Sequence, residues 1–466
     1  MAASPIQDIT QQEYISLASS IIEHRARGER PLAFTHTYGC QGNVADGERI
    51  RGLLAAMGYD FTDDINEADL ILYNTCAIRE HAEDRVFGNV GALKHIKRRH
   101  PDTIIALCGC MVQQEHVAKR FRDSYPYVNL LFGTHVIHRL PELLYKVLTG
   151  GKRVFELSQE DNSVHEEIPV HRDGNLRAWL PIMYGCDNFC TYCVVPYVRG
   201  RERSRAPECV EKEFRSIVAA GYKDITLLGQ NVNSYGRKDG GNATFPELLR
   251  RLDAVEGDYL IRFMTSHPKD CSLELLDAMR DCRHVAKHLH LPFQSGSSEI
   301  LGRMNRRYTR ERYLKLIAAA RERIPDLSIT SDVIVGFPGE TREQFEETLS
   351  LIEEVKFTSL YTFIYSPRKG TPAATMEDGI TAQEKSERMR ELLALQESIA
   401  AQRCASMIGK TERVLVEEEV EKGLLSCRTS GNVIVNVEGD VGSIGSFAEV
   451  EITSARNWTL GGEFKK

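Results

Sequence analysis

Cys186, Cys190 and Cys193 share one short loop in a C-x3-C-x2-C spacing, within Gly185-Cys-Asp-Asn-Phe-Cys-Thr-Tyr-Cys193. Three thiolates this close can hold three irons of a 4Fe–4S cube and leave the fourth iron without a protein ligand. That arrangement suits a small molecule that must coordinate the cluster and receive an electron from it. A structural zinc site asks instead for a closed tetrahedron, usually two C-x2-C pairs. No second pair lies nearby, and Cys209 follows only after sixteen residues in a helix-like stretch, so zinc is the weaker reading.

A second set of cysteines is scattered. Cys40, Cys76 and Cys110 each follow a short apolar run, in Thr37-Tyr-Gly-Cys40, Asn74-Thr-Cys76 and Cys108-Gly-Cys110. In open parallel α/β sheets the loops after strand C-termini gather on one edge, so the three could meet there. Three free core cysteines would be the plain reading. Soft sulfur ligands at three turn positions flanked by Gly or Thr favour a second three-cysteine cluster site. Chemistry leaves Cys108 and Cys110 both open for the third place, with Cys110 nearer the loop tip. Cys209, Cys271, Cys282, Cys404 and Cys427 read as ordinary core or surface residues.

The elements that must position these thiols fall into three segments. From Arg30 to Leu148, strands at Leu32–Thr35, Leu70–Tyr73, Thr103–Leu107 and Val128–Phe132 alternate with helices at Asp46–Met57 and His81–Arg99. That alternation predicts an open parallel α/β layer. Gly150 to Asn175 is polar and reads as a linker. The alternation resumes from Leu176 to Ala400, with strands at Asp224–Leu228, Leu260–Met264, Lys287–Leu291, Ser328–Val335 and Ser359–Ile364. Capping boxes at Thr341-Arg-Glu-Gln344 and Thr381-Ala-Gln-Glu384 open two helices. With a strand before the cysteine loop this makes six βα units, a partial barrel whose site faces the strand C-termini. The tail has strands at Arg413–Val420, Gly423–Thr429, Asn432–Val437 and Phe447–Ile452, fitting a small antiparallel barrel. The expected fold class is therefore α/β, divided as an extension over 1–30, an α/β domain over 31–149, a linker over 150–171, a partial (β/α)6 barrel over 172–402 and a β-barrel over 405–466.

Composition narrows the class. A chain of 466 residues, 42% hydrophobic and 27% charged, is that of a globular protein of two or three domains. No apolar run approaches the roughly eighteen residues of a membrane span. Met1–Pro31 lacks the apolar core of a signal peptide and reads as a polar amphipathic helix plus linker. Twelve cysteines without an export signal suggest metal or redox chemistry in a reducing cytoplasm. The net charge of −7 does not advertise a nucleic-acid binder, but basic residues are clumped. Arg199, Arg201, Arg203 and Arg205 alternate after the cluster loop. Lys94, Lys97, Arg98 and Arg99 form a second group, and Arg303, Arg306, Arg307 and Arg310 a third. Together they favour a local phosphate-binding track over plain surface charge.

The C-x3-C-x2-C loop resembles that of the radical S-adenosylmethionine (SAM) enzymes. With Gly39-Cys-Gln-Gly-Asn43, Asn74-Thr-Cys76, Gly109-Cys110 and the TRAM-like tail, the chain resembles a methylthiotransferase from Pro31 to Phe464. Three further stretches are most similar to the tRNA-2-methylthio-N(6)-dimethylallyladenosine synthases: Cys76-Ala-Ile-Arg-Glu-His-Ala through Gly88, Leu227-Leu-Gly-Gln-Asn-Val-Asn-Ser-Tyr-Gly236 and Tyr365-Ser-Pro-Arg-Lys-Gly-Thr-Pro-Ala-Ala374. Gly42 and Gly47 depart from the Met and Ser usual there.

The resemblance implies two 4Fe–4S clusters, one on Cys186, Cys190 and Cys193 and an auxiliary one on Cys40, Cys76 and Cys110, and it selects Cys110 over Cys108. It implies SAM cleavage to a 5′-deoxyadenosyl radical, which takes hydrogen from carbon 2 of the adenine of N(6)-dimethylallyladenosine at position 37 of tRNA. The auxiliary cluster would supply sulfur, methylated by a second SAM. Tyr192 occupies the position that contacts the SAM adenine, with a plain loop aromatic as its alternative; Gln230 and Asn231 are candidates for the SAM methionine end. Expected partners are tRNA carrying dimethylallyladenosine, an electron donor such as flavodoxin or ferredoxin, and an iron–sulfur carrier protein, with no membrane; the enzyme would be a cytoplasmic monomer. The tail would grip RNA, although it holds seven Lys or Arg against ten Asp or Glu, so contact must rest on residues such as Arg428, Arg456 and Trp458. The alternatives are the same chemistry on a ribosomal protein aspartate or on threonylcarbamoyl-adenosine of tRNA, and a non-catalytic RNA-binding iron–sulfur redox sensor. The Arg79-Glu-His-Ala stretch favours the dimethylallyladenosine substrate.

Overall fold

The computed structural model describes residues 9–77, 80–159, 163–237 and 243–465. Arg79 and the side chains of residues 80–82, on which the choice of substrate partly rests, lie outside the described residues, as does the start of the N-terminal extension. The chain forms two compact units. One holds residues up to Asp173 together with Tyr184–Cys186 and Val194–Arg203; the other holds Gly174–Met183, Asp187–Cys193 and Ser204–Lys466.

In the first unit six strands form one parallel sheet, ordered Asp60–Phe61, Leu32–Thr37, Leu70–Thr75, Ile104–Gly109, Leu130–Phe132, Val154–Glu156. The two-residue period sends alternate side chains to opposite faces. Leu70, Leu72, Ile104 and Ala106 join one core with Ile50, Leu54 and Leu140, while Ile71, Tyr73, Ile105 and Leu107 join another with Val86, Val90 and Phe121. Burial on both faces explains why the strands read as continuous apolar runs. The helix Gln11–Arg25, opened by a Thr10/Glu13 capping box, buries Ala18 and Ile22.

The segment expected as a linker is partly a strand. Val154–Glu156 adds to the sheet edge beside Leu130–Phe132, and Arg153 fixes it through the carbonyls of Phe121, Tyr125 and Val128. Three residues are too few to show a period, which is why the sequence hides this strand. Beyond it, the His171 N–H donates to Glu48 O at 2.9 Å, and the Pro169 carbonyl occupies the space a Cβ at Gly52 would need.

The second unit carries the partial barrel as two parallel runs. Arg177–Pro181, Asp224–Leu228 and Leu260–Phe263 form the first; His288–His290, Ser328–Val335 and Ser359–Ile364 form the second. A parallel bridge from Ile261 to Val285 stands between them. Both predicted capping boxes are formed, opening Arg342–Val355 and Ala382–Ala405.

The tail is a closed five-stranded barrel. Its last strand, Thr459–Phe464, is not legible in the sequence because Gly461 and Gly462 break the apolar alternation. A Cβ at either glycine would strike Ser454 or Val450, so close strand approach requires them. This strand runs parallel to Ile434–Glu438, so one seam of the otherwise antiparallel barrel is parallel.

Arg262 ties this barrel to the βα core. Its Nε meets Asp224 Oδ2 at 2.9 Å, while its other nitrogens donate to Ser430 O at 2.9 Å and Thr429 O at 3.0 Å. Both partners of the ion pair are buried. Removing one member of a buried pair strands the other, so Arg262→Met is expected to cost roughly 3–5 kcal/mol in chemical denaturation. Arg413→Met, at the exposed pair with Asp258, is expected to cost under about 1 kcal/mol.

Candidate active site: two sets of three cysteines

In the first unit Cys40, Cys76 and Cys110 leave neighbouring strand ends and come together. Cys40 caps the helix Gln41–Ala56, and its thiol is hydrogen-bonded with Cys76. Gly39 has a φ of +104°, and a Cβ there would collide with the Cys76 side chain. Gly109, at φ +98°, likewise turns the chain where a Cβ would strike Thr75 O. The left-handed turn at Gly109 then separates the two candidates for the third position. Cys108 points into the core beside Ala106 and Leu130, whereas Cys110 faces Asn43 and Arg199.

Arg199 organises this site. It is buried and donates to Cys110 Sγ at 3.1 Å, to Asn43 Oδ1 at 2.7 Å and to Asp46 Oδ2 at 2.7 Å. Burial opposes its charge, but Asp46, Cys110 and Cys40 outweigh burial and hold the guanidinium protonated. The hydrogen bond from Cys76, aided by the Arg199 charge, brings Cys40 down to about 5 against its burial. Burial pushes Cys110 up to about 11 despite Arg199. Asn43 locks the frame by donating to Tyr38 O at 2.9 Å and Thr75 O at 2.8 Å. A pocket opens against Asp46 and Arg199, walled by Arg49, His135, His138, His165 and Arg203. The sequence marked Arg199 only as one of an alternating basic run.

Within the first unit Cys186 donates its N–H to Gly200 O at 3.1 Å, with Gly185 at φ +72° packed on Arg201 O. Cys190, Tyr192 and Cys193 belong to the second unit, where the loop is pinned to residues 303–306. The Thr191 N–H donates to Met304 O at 3.1 Å, and Asn305 Nδ2 donates to Phe189 O at 2.9 Å. Arg306, also buried, donates to Pro292 O at 2.7 Å and lies 3.6 Å from Cys190 Sγ. Tyr192 packs on an apolar cluster of Ile300, Met304, Ile334 and Phe337, and burial raises its phenol. Asn231 is buried and donates to Asp270 Oδ2 at 2.8 Å, while Gln230 stands beside it. Phe189, Thr265, Gln294, Asn305 and Arg307 all hold left-handed φ, backbone strain that gathers around this loop and the ends of the barrel strands.

The basic groups do not form the single track expected from sequence. Arg199, Arg205 and Arg306 are buried in structural contacts, and Lys97 is tied to Thr103 O. Only Arg201, Arg307, Lys94, Arg98 and Arg99 of these groups are exposed. In the tail Arg428 is held by Glu417 and Asn432, while Arg456 and Trp458 are exposed. Cys271 and Cys282 lie in the βα core and Cys404 and Cys427 in the tail core, as ordinary residues.

Residues 180–352 match the Radical SAM superfamily, 405–465 the TRAM domain, and 33–133 a family described as uncharacterized protein family UPF0004. A tRNA-2-methylthio-N(6)-dimethylallyladenosine synthase of Thermoanaerobacter sp. (strain X514) is 48% identical over 95% of this chain and 94% of its own. One of Acetivibrio thermocellus is 46% identical over 98% and 96%. The chain belongs to this synthase family. Its members are radical SAM enzymes, which implies a 4Fe–4S cluster and SAM. Among solved structures, the radical SAM methyltransferase TsrM from Kitasatospora setae shares the fold with a TM-score of 0.55, at 15% identity over 74% of each chain. The cobalamin-dependent SAM radical enzyme OxsB does so at 0.52 and 14% identity, over 80% of this chain and 56% of its own.

Of the two glycines that depart from the synthase pattern, Gly42 leaves ordinary contact distance, 3.7 Å to Cys40 Sγ, for an added Cβ, whereas at Gly47 a Cβ would come within 2.5 Å of Thr37 Oγ1. In the metal-free protein Gly42→Ala, a helical position, is expected to be neutral or to stabilise by up to about 1 kcal/mol. Gly39→Ala is expected to destabilise by at least roughly 1–3 kcal/mol, because it adds both strain and collision. Paired denaturation curves check the difference.

Proposed function

We propose that this synthase installs a methylthio group on carbon 2 of N(6)-dimethylallyladenosine at position 37 of tRNA. The observation that carries the reading is the gathering of Cys40, Cys76 and Cys110 around a buried Arg199, in a chain that also holds the radical SAM loop. On this reading Cys186, Cys190 and Cys193 hold the SAM-cleaving cluster, and Cys40, Cys76 and Cys110 hold an auxiliary one. The donor chemistry fits both, soft thiolates for iron, while among the described residues no three such side chains are already closed to metal-binding distance. None of the six is spent on a disulfide, and a cationic side chain stands beside each set, Arg199 at Cys110 and Arg306 at Cys190. When bound, the clusters and SAM supply the one-electron chemistry and the transferable sulfur.

The protein's own residues prepare that chemistry. Arg199 and Arg306 offset negative charge that burial would otherwise penalise. Asn43 and Asn305 fix the loops that carry the thiols. Tyr192 offers an aromatic face beside Cys193, and Gln230 and Asn231 offer amide groups to the methionine end of SAM. Trp458 and Arg456, exposed on the tail barrel, suit base stacking and phosphate contact. Twelve cysteines with none in a disulfide suit a reducing cytoplasm, with flavodoxin or ferredoxin as the class of electron donor and an iron–sulfur carrier to restore the auxiliary cluster. Among the described residues no helix is long and apolar enough to cross a membrane.

Reconstituted anaerobically with SAM, reductant and tRNA bearing dimethylallyladenosine, the protein is expected to yield the 2-methylthio nucleoside by mass spectrometry. Cys76→Ala is expected to lose this product yet still cleave SAM, with bound iron falling by about half, as expected when one of two similar clusters is lost. Cleavage of SAM with no nucleoside change in the unaltered protein would sink the substrate assignment. Trp458→Ala is expected to weaken tRNA binding by roughly tenfold, the worth of one stacking contact. A filter-binding titration reads this, and SAM cleavage without tRNA should not change.

A further inference from the structure

Two large aromatic side chains on one strand of the second unit remain open. Tyr361 is 44% exposed and Phe363 46% exposed, and both lie on Ser359–Ile364. Between their positions and the helices, Leu360 packs on the apolar core of the βα layer. Successive side chains of a strand point to opposite faces, so Tyr361, Phe363 and Tyr365 share the other face. Tyr365 still follows the ladder, donating its N–H to Val335 O at 2.9 Å. That face looks into the partial barrel. Leu289 joins the helix-side core, so His288 and His290 point the other way, and the His290 ring meets Tyr361 at 5.6 Å. Among the described residues Ser359–Ile364 pairs only with Ser328–Val335, which puts the aromatic face on the last strand, at the open edge of the barrel.

The polar side chains nearest this face answer one another. His288 Nε2 and His290 Nδ1 both meet Thr330 Oγ1, at 2.8 and 3.0 Å, and His290 Nε2 stands 3.4 Å from Asp332 Oδ1. What the face offers a ligand is therefore mainly apolar area. Two neighbouring aromatic rings left this open forgo burial that folding would otherwise use, and adjoining apolar groups of this kind suit a binding site.

The face also runs toward the radical SAM loop. Phe363 pairs in register with Ile334, and Ile334 packs with Tyr365, Phe337 and, on the loop itself, Tyr192. Two residues of strand, roughly 7 Å, separate Phe363 from Tyr365. Carbon 2 of adenine and the far end of an N(6) dimethylallyl chain are a similar distance apart. A base whose carbon 2 is held beside the loop can thus lay its N(6) substituent back along the strand, onto Phe363 and Tyr361. That substituent is a branched hydrocarbon without a polar atom, and its chemistry matches what the two rings provide.

We propose that Tyr361 and Phe363 form the seat of the dimethylallyl chain and set the preference for adenine that carries it. The assignment rests on the substrate reading above. It is tested by filter binding of two forms of one tRNA, with N(6)-dimethylallyladenosine or plain adenosine at position 37, to full-length, anaerobically reconstituted protein. The unaltered protein is expected to prefer the dimethylallyl form by about tenfold or more, the scale of a hydrocarbon contact in an apolar pocket. Phe363→Ala and Tyr361→Ala are each expected to cut that preference by at least about threefold, by weakening the dimethylallyl form while the adenosine form binds as before. Phe363→Leu keeps apolar volume and is expected to keep the preference. Iron content and SAM affinity should stay those of the unaltered protein. If Phe363→Ala does not fold, Tyr361→Ala carries the same readout. An undiminished preference in the folded alanine variants, or weakened SAM binding in place of weakened tRNA binding, would overturn the seat. So would an unaltered protein that makes the methylthio nucleoside yet binds both tRNA forms equally, with the substrate reading left standing. An unaltered protein that makes no such nucleoside from the dimethylallyl form would overturn the substrate reading and the seat with it.

Discussion

Parallel register is the constraint on which the N-terminal site depends. Thr37 pairs with Asn74, Asn74 with Cys108 and Thr75 with Gly109, so three successive strands end at one level of the sheet. The residues just past those ends are Tyr38 to Cys40, Cys76 and Cys110. A one-residue slip of the Ile104–Gly109 strand would turn its side chains to the opposite face, taking Cys108 out of the core and Cys110 away from Asn43 and Arg199. The apolar sides of the sheet enforce the register, since Leu70, Leu72, Ile71 and Tyr73 are matched to two separate cores. Packing far from the thiols therefore fixes where the thiols meet.

Sulfur-rich sites in a protein interior raise an electrostatic problem, and the chain meets it in the same way twice. Arg199 is buried among Cys110, Asn43 and Asp46, and Arg306 among Cys190, Pro292 and Tyr308. An unpaired buried guanidinium would be strongly unfavourable. Both are held by carbonyl, amide, hydroxyl or carboxylate groups that aim them toward sulfur. In each unit the cation is part of the frame, so it stands ready without reorganisation when charge is added nearby.

Around the barrel mouth the fold accepts local cost. Five non-glycine residues with left-handed backbone lie on its loops, and four polar atoms there, Gln230 Oε1, Asn231 Oδ1, Ser266 Oγ and His267 Nε2, lack hydrogen-bond partners among the described residues. The same unit also has formed capping boxes and a continuous apolar core. Strain and unsatisfied polarity gathered at the ends of these strands suit a region where a ligand completes the structure.

The sequence by itself determined most element types and the thiol chemistry of the candidate ligands. Ser328–Val335 and Ser359–Ile364 were readable to the residue because long β-rich runs with clear ends leave no alternative period. The C-x3-C-x2-C loop was readable because its spacing is local. Tertiary structure alone decided the rest. Val154–Glu156 is a strand only because an open sheet edge receives it, and Thr459–Phe464 only because its glycines allow close approach to Phe447–Arg456. The alternating arginines after the cluster loop looked like a phosphate track, yet Arg199 and Arg205 turn inward to buried partners. Ser266 and His267 carried no signal at all, since a serine and a histidine after a strand are common. Whether their buried polar atoms are left unpaired depends on which groups around them are already bonded, and that accounting exists only once the chain has folded.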